Sequence, residues 1–152
     1  MFELPRGITG FGLDHPQSEL AERRRDFVAW ARSVASAFDS TAIELPLGDP
    51  IPSFDLVKLE RVDHWLLHNR FVPVVGVLAN EPEPGTSWAV AGEYVDLELP
   101  GHLAGWGPRL LDAADLNAPL TQSLESLGLG AVEQADRYKP ETIGHMVFNY
   151  WT

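Results

Sequence analysis

Along QSELAERRRDFVAWARSVASAF, residues 17–38, apolar side chains return every three or four positions: Leu20, Phe27, Trp30, Ala31, Val34 and Phe38. That period lays one stripe along a helix, so an amphipathic α-helix is predicted over about 17–38. Ser18 is placed to cap its first turn, and Glu19 and Glu22 stand where the helix dipole favours negative charge. Arg23, Arg24 and Arg25 flank the stripe; with Glu19, Glu22 and Asp26 one turn away they read as a solvated face. Ahead of the helix, Phe2, Leu4, Ile8 and Phe11 around Pro5 and Gly7 describe a short strand or extended arm.

From 41 to 99 the period shortens. TAIELPL, FDLVKLERV and FVPVVGVLA are short apolar runs bounded by turn residues, and each reads as a strand. Pro73 removes one ladder donor and places its strand start, edge or bulge there. After the exposed EPEPG turn, SWAVAGEYVDLEL alternates, with Val95, Leu97 and Leu99 on one side and Tyr94, Asp96 and Glu98 on the other. Alternation of that kind predicts an antiparallel sheet with one face on the core and one in water. Beyond the GHLAGWGP loop, helical stretches are expected at 109–115 and 117–127, stopped by Gly128 and Gly130. Pro140-Glu141 announces a last helix, with Ile143, Val147 and Trp151 at four-residue spacing.

The connections between strands are too short for helical crossovers, which excludes a parallel βαβ order. The expected fold is therefore α+β: an antiparallel sheet of four to five strands over about 41–99, packed against the N-terminal helix and C-terminal helices. At 152 residues with 45% hydrophobic side chains, 1–152 is expected to form a single domain with a full core.

Charge narrows the function. The formal net charge is −11, and all of it lies in residues 39–152, because residues 1–38 balance five basic with five acidic side chains. A surface of that sign repels phosphate backbones, which argues against nucleic acid, and attracts a basic protein partner. No run approaches the roughly 18 apolar residues of a membrane span. The N-terminus lacks the basic-then-apolar order of a signal peptide, and there is no cysteine, so a cytoplasmic protein is expected. Nine arginines against two lysines point to a GC-rich, bacterial genome.

Candidate chemistry is sparse. His64 and His68 in HWLLH have the i, i+4 spacing of helical metal ligands, but Trp65 stands where a zinc protease needs its glutamate. On a strand, the two histidines share a face about 13 Å apart at roughly 3.3 Å per residue, too far to hold one ion. Trp65 and Leu67 then face the core, and the histidines the wet or partner-facing side. No metal and no cofactor is expected. There is no nucleophile elbow, phosphate loop or dinucleotide fingerprint. Tyr94, Asp96 and Glu98 share one strand face, where neighbouring carboxylates serve either acid–base work or solvation. Trp106, between Gly105 and Gly107, is freed to project outside the core, and His102 stands nearby with a ring that can donate or accept a hydrogen bond.

Three functions follow. The first is a non-catalytic acidic protein that engages a basic partner, as an immunity-type protein engages a toxin. The second is a small-molecule pocket or enzyme built on His102, Trp106 and the sheet carboxylates. The third is a structural or assembly subunit using exposed aromatics.

Overall fold

The computed structural model describes residues 2–11, 15–49, 51–103 and 105–151. The expected helix is present as α1 (Gln17–Ala37), and it buries Leu20, Phe27, Val28, Trp30, Ala31, Val34 and Ala35. Its N-terminus differs from expectation. Pro16, not Ser18, occupies the cap, and no side chain bonds to the first turn. Proline there supplies a fixed φ and a carbonyl, which accepts the Glu19 and Leu20 amides at 3.0 and 3.2 Å.

Four strands follow in order: β1 (Ala42–Leu45), β2 (Phe54–Leu59), β3 (His64–Asn69) and β4 (Val74–Leu78). They form an antiparallel meander, with Leu56 opposite Leu67 and Leu67 opposite Gly76. A two-stranded ribbon, β5 (Glu83–Pro84) and β6 (Val90–Ala91), lies outside that sheet. The fifth strand of the main sheet is β7 (Arg109–Leu110), parallel to β4. The protein is therefore α+β, with a five-stranded, mostly antiparallel sheet between an N-terminal helix and C-terminal helices.

Three local expectations are corrected. Residues 92–99 do not form a strand; Tyr94 makes one isolated bridge to Leu78, and the Val95 amide bonds to the Val77 carbonyl at 2.9 Å. Further along the same β4 edge, Arg109 and Leu111 donate to the carbonyls of Pro73 and Val75. The segment expected to begin a helix at 109 is thus held extended by that edge, and α2 spans only Ala113–Asn117. Beyond Asn117 the helix expected to reach 127 is reduced to a 3₁₀ turn at Glu125–Leu127, which Gly128 ends, while Gly130 lies inside the next helix. Gly128, at φ 103, precedes α3 (Leu129–Tyr138), whose buried residues are the small Ala131 and Ala135, too slight a stripe to read in advance. The last helix, α4 (Ile143–Val147), is capped by Thr142, whose hydroxyl accepts from the His145 amide at 3.2 Å.

Both faces of the sheet are covered, not one. Val57, Leu59, Leu66, Val75 and Val77 pack beneath α1. Phe54, Trp65, Leu67, Val74 and Leu78 pack against the N-terminal arm and the C-terminal segments. Alternation along a strand therefore sorts residues between two cores, which explains why β4 is buried at every position. Asn69 ties the second layer together: its amide donates to Ile8 and Val147 carbonyls at 2.9 and 2.8 Å, and its oxygen accepts from Phe71 and Val72. Among the described residues, no helix is long and apolar enough to cross a membrane.

Candidate functional site

The two-sided sheet changes the place of HWLLH. β3 is a strand as expected, and Trp65 and Leu67 are core residues. The opposite face is not wet, because α1 covers it: Leu66 and His68 are buried and His64 is half-buried. His68 sits directly across from Asp55 in the β2–β3 register, with Nδ1 3.4 Å from the Asp55 carboxylate. The Phe27 ring of α1 stacks on the imidazole at 4.6 Å and 10°.

One turn earlier on α1, Arg24 reaches the same carboxylate at 3.2 Å. It also bonds to Glu44 and to the Leu45 carbonyl, each at 2.7 Å, so all three guanidinium nitrogens are occupied. Asp55 is only 3% exposed at its side chain, and Arg24 and His68 surround its carboxylate, which offsets the cost of burying it. Arg70 lies in the same field. Burial lowers its pKa, Asp55 opposes that shift, and Arg24 adds to it. The arginine triplet is thus not a uniform solvated face: Arg24 is a half-buried anchor, Arg23 bonds to Glu19 and the Phe71 carbonyl, and Arg25 is exposed.

Beside this cluster lies a cavity of about 520 Å³. Arg23, Asp26, Phe27, Ala29 and Trp30 line it from α1, His68 and Pro73 from the sheet, and Trp106, Gly107 and Pro108 from the loop before β7. Gly107 makes the wall. At φ 77 its backbone lies on the Trp30 indole, and a β-carbon there would come within 2.9 Å of Trp30 Nε1. The buried Trp30 N–H has no acceptor among the described residues. Trp106 is 49% exposed, and a second cavity of about 380 Å³ is lined by Leu99, Leu103 and Trp106.

Of the residues singled out from sequence, His68 and Trp106 are brought together on one cavity. His102 is exposed and lines neither cavity. His64, at the start of β3, faces the same side of the sheet as His68, and its Nδ1 is buried without a partner among the described residues. Tyr94 is in the core, where burial and then Tyr150 push its hydroxyl pKa upward. Asp96 accepts the Ala113 amide at 2.8 Å and so caps α2. Glu98 is exposed. Tyr94, Asp96 and Glu98 therefore do not make one binding face. Sequence reasoning missed Asp55, Arg23, Asp26, Trp30 and Pro73. A lone acid within the apolar FDLV run was the available signal for Asp55.

Chemically, the cavity offers aromatic and aliphatic walls, one imidazole and a charged rim. Among the described residues lining it there is no hydroxyl or lysine nucleophile, and no group of three His, Asp or Glu side chains is arranged to hold a metal. The chain matches no protein-family model, no curated protein and no solved structure.

Proposed function

We propose that the protein is a binding protein that takes a small, flat, mostly apolar molecule into the cavity between α1 and the Trp106 loop. The observation that carries this reading is the cavity itself. Its volume falls in the range of ligand pockets, its walls are largely apolar, and its buried imidazole is oriented by a partner outside it. In the tautomer in which His68 Nδ1–H donates to Asp55, Nε2 is the acceptor, and the ligand that suits it carries one N–H or O–H donor. Trp106 supplies an exposed ring for stacking at the mouth.

Indole and indene test this, since the two have nearly the same shape and only indole has the donor. Indole is expected to raise the melting temperature with a dissociation constant of about 1 mM or tighter, from ligand efficiencies typical of small fragments. Indene is expected to bind several-fold more weakly. Ala29→Trp, at an exposed helical position on the cavity wall, should abolish both effects. Indole binding that survives Ala29→Trp, or no binding at all, would remove the pocket from consideration.

A second reading, engagement of a basic protein partner in the manner of an immunity-type protein, is favoured by a separate observation: the uneven charge. Residues 39–152 carry seventeen acidic side chains against six basic ones. That field accelerates encounter with a cationic surface.

A further inference from the structure

The hairpin between β5 and β6 holds its turn in an unusual conformation. Ser87 and Trp88 are consecutive residues at φ 60 and 52, in the left-handed region that bulky side chains rarely occupy. Backbone strain of this kind persists only where the surroundings impose it. Here they do. The Ser87 hydroxyl donates to the Lys139 carbonyl at 2.7 Å, the Trp151 indole donates to the Ser87 carbonyl at 2.8 Å, and the Tyr150 amide donates to the Trp88 carbonyl at 2.9 Å. The outcome is a tryptophan held 43% exposed, its ring 6.3 Å from Tyr150 at 60°. Tyr150 is itself fixed edge-on against Phe54 at 5.6 Å.

Carboxylates border the pair. Glu81 and Glu83 are both exposed, and neither makes an ion pair with another described residue. Glu83, opposite Ala91 in the β5–β6 register, stands on the same hairpin as Trp88, and the Tyr150 hydroxyl has its pKa raised by burial first and by Glu83 and Glu81 after it. Pro82 and Pro84 alternate with them, restricting the backbone and removing amide donors from this edge. A partner adding a strand here would find few donors, so side-chain recognition is the favoured mode.

We propose that Trp88 and Tyr150, flanked by Glu81 and Glu83, receive a lysine or arginine side chain of a basic protein partner. An aromatic face attracts a cation through its quadrupole, and the carboxylates neutralise the charge. A second copy of this chain fits poorly, because two bodies of net charge −11 repel each other. The inference rests on the partner reading and is independent of the α1 cavity.

The test is fluorescence anisotropy with a fluorescein-labelled decapeptide of alternating lysine and arginine, at about 150 mM salt where long-range attraction is screened. Trp88→Ala and Glu81→Gln/Glu83→Gln are each expected to weaken binding about tenfold, within the range of cation–π and ion-pair contributions. The charge-matched control Glu22→Gln/Glu60→Gln, at exposed positions outside the patch, should change it less than about twofold. If the control weakens binding as much as the patch variants, the acidity acts diffusely and the patch is overturned. If the wild-type chain does not bind the peptide, the partner reading falls, and the patch with it. A wild-type dimer in sedimentation equilibrium that Trp88→Ala dissociates would assign the patch to self-association instead.

Discussion

Arg24 and Asp55 share one ion pair, yet removing either end is expected to cost different amounts. Arg24→Met leaves the Asp55 carboxylate, 3% exposed, with His68 at 3.4 Å as its remaining partner. An uncompensated buried charge costs about 3–5 kcal/mol. The lost bond to Glu44 adds little, since that carboxylate is 43% exposed and water replaces the partner. Asp55→Asn is milder. It keeps an acceptor oxygen for the guanidinium, and Arg24, 21% exposed, retains Glu44 and the Leu45 carbonyl. Its cost is about 1–2 kcal/mol, that of a weakened charge-assisted bond. The double variant inverts the usual additivity: neutralising Asp55 removes the stranded charge, so Arg24→Met/Asp55→Asn should be about 1–2 kcal/mol more stable than Arg24→Met alone. Urea denaturation with unchanged m-values measures all three. At roughly 2–4 °C per kcal/mol for a chain of this length, Arg24→Met should melt about 10 °C below wild type. A double variant less stable than Arg24→Met, or an Arg24→Met loss under about 1 kcal/mol, would show that Asp55 is not held as a buried anion by Arg24.

Two further outcomes are expected. Gly76→Ala places a β-carbon 2.6 Å from Phe148 and 3.0 Å from Leu116 in the lower core, so it should lose about 1–3 kcal/mol in urea melts. Combining it with Phe148→Leu should be less damaging than the two losses added; full additivity would mean the methyl finds room elsewhere. His145 is held neutral, its pKa lowered by burial and opposed by Glu141, with Nδ1 accepting the Glu141 amide at 3.0 Å. The unfolded chain therefore binds the proton more readily, so this group's contribution to stability is present above its unfolded pKa of about 6.5 and is lost as pH falls through the lower folded value. His145→Gln should flatten the wild-type stability profile over that acidic window, and an unchanged slope between the two proteins would argue against it.

The fold class was legible because its main signals are local. The α1 stripe needs only 3.6-residue periodicity, and the short apolar runs at 54–59 and 74–78 need only their turns. Trp106 was legible for a similar reason, since glycines on both sides free the backbone whatever the rest of the chain does. α3 was not, because its buried residues are alanines and a helix with so slight a stripe leaves little trace in sequence.

Partners across the molecule are another matter. Whether His68 faces water or a helix depends on what covers the second face of the sheet, and a period of two sorts residues onto faces without saying which face is dry. α1 covers it, which turns a histidine expected at the surface into the buried partner of Asp55 and Arg24. The same docking gathers Trp30, His68 and Trp106, residues 38 positions apart at each step, around one cavity. The strand at 109–110 likewise exists because β4 offers it an edge, not because of anything in its own residues. Periodicity and turn chemistry are written along the chain; the cavity, the buried ion pair and the strained Trp88 are products of long-range packing, which only folding brings into being.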